Sequence, residues 1–383
     1  MSLVDFLDNS AAAGAVPGKT DPRAACFHRS MPGYAPSAIA EAPIAAAALG
    51  LDKLVVKLET ERFGLPSFKV LGASWATCRA LGRRLGPVDH PPPTFDELRA
   101  ALPPLLDGLT LVAATDGNHG RAVAWTARML GLGARILIPA HTTRERIEAI
   151  AGESATVDIV DGSYDDAVRL AASLADDDHL VISDTSWPGY EEVPGWVADG
   201  YSTIFEELAE QLGDEPPPPL VTIQIGVGAL ACATVRALAD GERVIVGVEP
   251  ADAGCVLEAV RNDGRPVLVP GPHRSIMAGL NCGLASQVAL PDMAAGITAF
   301  CTVQDSDAED AVRLLFGDGL RGGETGASGV AGLLALRADR PRHTWQRFGL
   351  GRSPAALVIC TEGPTDAASF QRIAGRVGDP PTG

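Results

Sequence analysis

The sequence predicts an α/β fold in which mostly parallel sheets are covered by helices on both faces. Three observations lead to this prediction. Short apolar runs recur along the 383 residues, and segments with the apolar spacing of a helix alternate with them. Three of the runs end in turns that combine glycine with polar residues. Because ligands of such folds bind beyond the carboxyl ends of strands, these turns are where we expect a functional site.

Strands and helices are predicted in alternation from residue 53 onward. The run "KLVVKLE" predicts a strand over 53–59, and "SFKVLGASWATCRALGRRL" predicts the start and body of a helix. The segment "HGRAVAWTARMLG" predicts a helix over 119–131 that ends at its last glycine. Further strands are predicted over 109–115, 134–139, 155–161, 179–184, 220–228, 243–250 and 355–363. Further helices are predicted over 143–152, 163–178, 197–213 and 229–240.

Composition and charge exclude several classes of protein. The net charge is −17, so the chain repels nucleic acid and anionic membrane surfaces, and neither is an expected partner. No uninterrupted apolar run approaches the ~18 residues of a membrane-spanning helix, and the first residues lack a signal-peptide pattern. The seven cysteines are scattered without a CxxC pair, which favours reduced thiols and a cytoplasmic protein.

One lysine stands out in the stretch "GLPSFKVLGASWA". The chain has only four lysines, and Lys69 lies between an aromatic residue and a run of small apolar residues. A desolvated lysine loses its proton and attacks carbonyl groups, which arginine does not do, so Lys69 is a candidate nucleophile. Lys53 and Lys57 lie in a strand with alternating exposure and are expected to be solvated, whereas Lys19 lies in an N-terminal arm.

The three turns each allow a functional and an ordinary interpretation. "TDGNHGR" (115–121) frees the backbone near a ligand or simply connects a strand to a helix. "QIGVGALA" (224–231) suits a phosphate at a helix N-terminus, but it lacks the glycine fingerprint of a dinucleotide-binding protein. "VICTEGPTD" (358–366) offers small hydrogen-bonding groups at a strand end, where a hydroxyl is more often a helix cap.

Taken in order, the lysine and the three turns resemble the pyridoxal-phosphate (PLP) enzymes related to the tryptophan synthase β subunit, known as fold type II. Within that group, the chain resembles the diaminopropionate ammonia-lyase branch from about Phe27 to Asp366. The asparagine turn and the segment "DTSWPGY" are the most discriminating. The segments that carry the resemblance are "FHRSMPGYAPSAI", "ERFGLPSFKVLGAS", "ATDGNHGRAVAW", "DTSWPGYEEVPGWVADGY", "QIGVGALA", "GVEP", "MAGLNCG", "GETGASG" and "CTEGPTD".

The resemblance implies a role for each site residue. Lys69 would form the Schiff base with PLP, Asn118 would contact the ring oxygen, and Cys360 or Thr361 would face the pyridine nitrogen. Asp116 and Asp184 would be the catalytic carboxylates that serve the two substrate enantiomers. From the residues alone, each aspartate could equally cap a helix or begin a turn. The amides that would bind the phosphate belong to Gly226, Val227, Gly228 and Ala229. No metal is implied.

The implied reaction is the α,β-elimination of 2,3-diaminopropionate to pyruvate and two ammonia through an aminoacrylate intermediate. The alternative is a PLP-dependent dehydratase acting on serine, threonine or 3-hydroxyaspartate, against which Thr115, Asp116 and "DTSWPGY" argue. A third hypothesis is an amino-acid-binding protein that has lost catalysis, against which the intact lysine and turns argue. The resemblance also implies a homodimer and two domains. These are a large, discontinuous PLP-binding domain (1–73 plus 181–383) and a small domain (74–180).

Overall fold

Two sheets organise the chain in the computed structural model, which describes residues 5–9, 12, 18–86, 94–102, 108–115, 117–339 and 345–375. The strands are β1 (Phe6–Asp8), β2 (Ile39–Glu41), β3 (Lys53–Leu58), β4 (Thr110–Ala114), β5 (Gly133–Pro139), β6 (Thr156–Val160), β7 (His179–Val181), β8 (Leu220–Gln224), β9 (Val244–Pro250), β10 (Ala299–Val303) and β11 (Ala355–Cys360). The seven-stranded sheet has the order β1-β10-β9-β8-β11-β3-β2, and the four-stranded sheet has the order β6-β5-β4-β7.

The predicted fold class is confirmed, because all internal strand pairs of the two sheets are parallel. Only the edge strands β1 and β2 pair antiparallel with their neighbours. Strands β8 and β9 are buried along their whole length, as expected where helices cover both faces.

The helices are α1 (Arg23–Arg29), α2 (Pro43–Leu49), α3 (Lys69–Leu85), α4 (Phe95–Ala101), α5 (Asn118–Leu130), α6 (Arg144–Ala151), α7 (Tyr164–Ser173), α8 (Glu192–Gly200), α9 (Ser202–Leu212), α10 (Ala229–Leu238), α11 (Cys255–Arg261), α12 (Leu290–Gly296), α13 (Asp305–Gly317), α14 (Ser328–Asp339) and α15 (Ala367–Ala374).

The predicted elements are present, with differences at their boundaries. The helix predicted over 197–213 is two helices, α8 and α9, which meet at Tyr201. The strands β1 and β2 are not predicted, because three residues are too few to show a period, and neither are β10 and the helices α1, α2, α4 and α11–α15. Among the described helices, none combines the length and apolar character needed to cross a bilayer.

Helix α3, which begins at Lys69, is held by a close crossing with α8. A Cβ atom on Gly200 would lie 2.5 Å from the carbonyl oxygen of Leu71, and one on Gly72 would lie 2.5 Å from the ring of Tyr201. Contacts this short exclude any larger residue unless the helices move apart. The two glycines therefore fix the distance between α3 and α8, and with it the position of the helix that carries Lys69.

A buried ionic cluster stabilises the segment that precedes Lys69. Lys57 Nζ lies 2.9 Å from Glu207 Oε2, and Arg62 binds both Glu207, at 2.7 Å, and Glu59, at 2.6 Å. The expectation that Lys57 is solvated was wrong, because its side chain is fully buried on the face of β3 that meets α9. Burial raises the pKa of Glu207, but the hydrogen bonds and charges of Arg62 and Lys57 outweigh it and lower the pKa to about 2. Glu207 is therefore ionised at neutral pH and balances two buried cations.

We predict that Glu207→Gln lowers the free energy of unfolding by about 3–5 kcal/mol, because it leaves Lys57 and Arg62 buried with one carboxylate between them. Denaturant unfolding followed by circular dichroism measures this change. The matched control is Glu148→Gln, which removes a carboxylate from an exposed pair with Arg144 and is expected to leave stability unchanged within error. Equal destabilisation by the two variants would contradict the role given to the cluster.

Candidate active site

The three turns singled out in the sequence converge with Lys69 on one cleft. Its volume is about 870 Å³, including space open to solvent. The cleft lies beyond the carboxyl ends of β4, β8 and β11, as the fold class predicts. The lining includes Lys69, Thr115, Gly117, Asn118, His119, Arg146, Tyr164, Asp184, Gln224, Gly226, Val227, Gly228, Ala229, Thr325, Thr361 and Glu362.

Lys69, the predicted nucleophile, forms an ion pair with Asp184, one of the two predicted catalytic carboxylates. Lys69 is the first residue of α3, and its Nζ lies 2.8 Å from Asp184 Oδ2. The two side chains are only 19% and 8% exposed. Burial lowers the pKa of Lys69, but the charge of Asp184 outweighs burial and raises it above the ordinary value. Burial raises the pKa of Asp184, but the charge of Lys69 and the hydrogen bonds from Lys69 and Tyr164 outweigh it and hold this pKa well below its usual range.

Two further side chains surround Asp184, and sequence analysis gave neither of them a role. Tyr164, the first residue of α7, donates its hydroxyl to Asp184 Oδ1 at 3.3 Å. His119 Nε2 lies 2.8 Å from the carbonyl oxygen of Ile182 and must donate to it, so Nδ1 of the neutral ring carries a lone pair. This Nδ1 is buried without a hydrogen bond among the described atoms and lies 3.8 Å from Asp184 Oδ2. Burial lowers the pKa of His119, which favours this neutral form.

The segment after Asp184 anchors the strand end that carries it. Tyr190 stacks on Trp187 with ring centroids 4.1 Å apart. The Tyr190 hydroxyl donates to the carbonyl of Val181 at 2.7 Å and accepts the amide of Ser183 at 3.1 Å. These contacts anchor the loop after Asp184 to the backbone at the end of β7.

The turn after β8 requires glycine at two positions. A Cβ on Gly226 would lie 2.9 Å from the carbonyl oxygen of Gly279. Gly228 has φ +107°, and a Cβ there would lie 2.3 Å from Met293 Cε. Helix α10 begins immediately afterwards at Ala229, and its first turn leaves backbone amides without partners inside the helix. A glycine turn followed by such a helix start is a site that suits an anionic group.

The turn after β11 contributes Thr361 and Glu362 to the lining of the cleft. The Thr361 hydroxyl accepts a hydrogen bond from Gln224 Nε2 at 2.8 Å. Cys360 is buried in the core on the far side of the strand, and burial raises its thiol pKa to about 12. Glu362 Oε2 accepts a hydrogen bond from Asn118 Nδ2. Sequence analysis gave Glu362 no role, although it stands in the quoted turn "VICTEGPTD".

Asp116, the other predicted catalytic carboxylate, lies outside the described residues. Its neighbours in sequence, Thr115 and Gly117, line the cleft. All seven cysteines are free thiols, and among the described residues no group of three or more histidine, cysteine, aspartate or glutamate side chains is arranged to hold a metal ion.

Comparison with known proteins agrees with the geometry of the cleft. Residues 31–344 match the family described as "Pyridoxal-phosphate dependent enzyme". The diaminopropionate ammonia-lyase of Escherichia coli K12 is 34% identical over 360 residues, which cover 91% of this chain and 89% of that protein. An L-threonine dehydratase of Mycobacterium leprae is 31% identical over 58% of this chain and 52% of its own length.

A solved structure resembles the whole chain. It is the crystal structure of the Escherichia coli diaminopropionate ammonia-lyase in complex with an aminoacrylate-PLP azomethine reaction intermediate. The TM-score is 0.84 at 31% sequence identity, and the match covers 97% of both chains. The similarity therefore extends to both sheets and to the cleft between their strand ends.

We predict that Asp184→Asn lowers the pKa of the Lys69 amine by about 1–3 units, because burial then acts without the opposing carboxylate. The pH at which Lys69 becomes half reactive should fall by the same amount. This pH is measured by modifying the amine with trinitrobenzenesulfonate across a pH series and quantifying the Lys69 peptide by mapping. The protein is first freed of any carbonyl compound bound to Lys69, so that the amine is available. Tyr164→Phe keeps the charge of Asp184 and should leave the midpoint near the wild-type value. An unchanged midpoint in Asp184→Asn would contradict the prediction.

Proposed function

The chain belongs to the pyridoxal-phosphate dependent enzymes, and from this premise we propose that it is a carbon–nitrogen lyase that eliminates both amino groups of 2,3-diaminopropionate. The products are pyruvate and two molecules of ammonia. The observation that carries the proposal is the buried Lys69–Asp184 pair, set in a cleft of a chain that matches a diaminopropionate ammonia-lyase over 91% of its length. Carbonyl attack requires the neutral amine, and the carboxylate beside Lys69 is placed to take the proton that the amine must lose.

The residues of the cleft fit the cofactor. The turn of Gly226, Val227 and Gly228, with the start of α10, would bind the phosphate, since added Cβ atoms on both glycines would clash with their surroundings. Lys69 would hold the cofactor covalently, and Asn118 would donate to its ring oxygen. When bound, pyridoxal phosphate supplies the electron sink that makes the α-proton of the substrate acidic.

Thr361 is the partner that we assign to the pyridine nitrogen. Of the two candidates, Thr361 lines the cleft, whereas Cys360 is buried in the core behind the strand. Gln224 donates to the Thr361 hydroxyl, which itself donates to the carbonyl oxygen of Thr325 in a long contact of 3.5 Å. A ring nitrogen in the cleft would replace that carbonyl as the acceptor. A neutral partner of this kind does not protonate the ring.

The carboxylates of the cleft suit proton transfer and the departure of an amine. The β-amine leaves readily only as an ammonium group, and a nearby carboxylate favours that form by Coulomb attraction. Asp184 is ionised at neutral pH, because the charge and hydrogen bond of Lys69 hold its pKa below the usual range against burial. We assign Asp184 and Asp116 to the α-protons of opposite enantiomers, since one group does not reach both faces of a planar cofactor.

The two sheets support the proposed division into domains. Strands of the four-stranded sheet run from Thr110 to Val181, close to the segment 74–180 that we assign to the small domain. The seven-stranded sheet draws its strands from both sides of that segment, as a discontinuous large domain of 1–73 plus 181–383 requires. We further propose a homodimer, on the basis of the family resemblance, and a cytoplasmic location, on the basis of scattered cysteines without a CxxC pair.

We predict that the purified protein releases two ammonia per pyruvate from 2,3-diaminopropionate, at rates well above those with L-serine or L-threonine. Coupled assays for pyruvate and ammonia on the D- and L-substrates measure the stoichiometry and the use of each enantiomer. A preference for serine or threonine, with one ammonia per pyruvate, would replace the proposal by the dehydratase alternative.

We predict that Asp184→Asn and Asp116→Asn each reduce kcat about 10²–10⁴-fold on one enantiomer and much less on the other, because each removes the group that moves the α-proton on one face. Parallel kinetics with the D- and L-substrates measure the split. Asp158→Asn, on the surface of the small sheet, is the control and should leave both rates unchanged. Equal losses on both enantiomers in both variants would contradict the division of roles.

A further inference from the structure

Glu362 is a buried carboxyl group in the cleft that the proposed reaction does not use. Its side chain follows β11 and lines the cleft, and the residue is only 3% exposed. Its Oε2 accepts a hydrogen bond from Nδ2 of Asn118, the first residue of α5. Because this buried carboxyl contacts a residue assigned to the cofactor, it is placed to affect how that residue binds the cofactor.

We infer that Glu362 is a positioning residue that fixes the side-chain amide of Asn118, so that Nδ2 remains a donor for the ring oxygen of pyridoxal phosphate. The inference rests on the proposed function, because it assumes the cofactor role of Asn118. An asparagine amide presents two hydrogens on Nδ2 and only lone pairs on Oδ1. In the flipped orientation Oδ1 would face a carboxylate, and two acceptors would repel each other. Contact with Glu362 therefore selects one orientation and leaves the second Nδ2 hydrogen for the ring oxygen.

The backbone of Glu362 is well placed to act as a fixed support. Its carbonyl oxygen accepts the amide of Gly323 at 2.9 Å, and a Cβ on Gly326 would lie 2.2 Å from the same oxygen. The turn 323–326 therefore packs directly against Glu362, and the residue does not move without this turn. Because Glu362 follows a strand of the large sheet and Asn118 follows one of the small sheet, their hydrogen bond joins the strand ends of the two sheets.

The surroundings of Glu362 offset its burial only in part. Burial, together with the charge of Glu324, raises its pKa above the ordinary value, against the charge of Arg146 and hydrogen bonds from Thr325 and Asn118. Arg146 lies on α6 and also lines the cleft, with its Cδ 3.2 Å from where a Cβ on Gly117 would stand. The side chains that hydrogen-bond the carboxyl, Asn118 and Thr325, are donors, so the carboxyl is a hydrogen-bond acceptor in these contacts.

The test is a double-mutant cycle on cofactor affinity. Full-length protein is stripped of cofactor and titrated with pyridoxal phosphate, and its visible absorption gives a Kd and a spectrum without any substrate. The variants are Glu362→Leu, which removes the acceptor, Glu362→Gln, which keeps one, Asn118→Ala, and Glu362→Leu with Asn118→Ala. Glu324→Gln is the matched control, because it neutralises a neighbouring carboxylate that binds Ser369 and is absent from the lining of the cleft.

We expect Glu362→Leu to raise the Kd about tenfold and to shift the absorption of the bound cofactor, as Asn118→Ala does. Glu362→Gln and Glu324→Gln should stay within about threefold of wild type, and the double variant should bind about as weakly as Asn118→Ala alone. Glu362→Thr replaces Glu362→Leu if the latter does not fold, since threonine is too short to reach Asn118.

The outcomes distinguish the role of Glu362 from the cofactor role of Asn118. An unchanged Kd and spectrum in Glu362→Leu, or losses that multiply in the double variant, would overturn the role of Glu362. Normal cofactor binding in Asn118→Ala would overturn the cofactor role of Asn118 and, with it, the inference. Neither result decides whether the enzyme acts on 2,3-diaminopropionate, which the product assay tests separately.

Discussion

The ion pair between Lys69 and Asp184 is the interaction around which the rest of the cleft is arranged. It joins the start of α3 to the segment that follows β7, so the amine is held at 2.8 Å from a carboxylate positioned by the four-stranded sheet. A lysine in this position is stable only because the carboxylate compensates for burial, and the carboxylate is stable for the same reason. The pair therefore forms only when both sheets are in place, so the cleft depends on the packing of the two sheets against each other.

Much of the surrounding structure serves to keep this pair in position. On the lysine side, Gly72 and Gly200 allow α3 and α8 to approach closely, and Arg62 anchors the preceding segment to Glu207 inside the core. On the aspartate side, the Tyr190 hydroxyl binds the backbone on both sides of Ile182, two residues before Asp184. Rigid supports of this kind let a site hold its reacting groups at fixed distances.

Three of the buried carboxyl groups illustrate how different their electrostatic settings are. Glu207 lies between two cations, and its pKa falls to about 2 in spite of burial. Glu249 accepts the amides of Val256 and Leu257 at the start of α11, but burial outweighs these hydrogen bonds and raises its pKa to about 8. Asp184 resembles Glu207 in its low pKa, but it lies in the cleft, where its partner is a reactive amine. Position in the fold, rather than residue type, thus separates structural from chemical carboxylates.

The sequence by itself determined the fold class, Lys69 as the candidate nucleophile, and the three turns that form the cleft. These features depend on local patterns, since apolar periodicity and glycine placement are visible within a few residues. Only the tertiary structure decided which side chains meet. Tyr164 and Glu362 reach their partners Asp184 and Asn118 across 20 and 244 residues of chain, and Lys57 proved to be buried because α9 supplies its counterion. Contacts between distant segments leave no periodic signal in the sequence, so the burial of a charge and the partner of a buried group emerge only when the sheets are assembled.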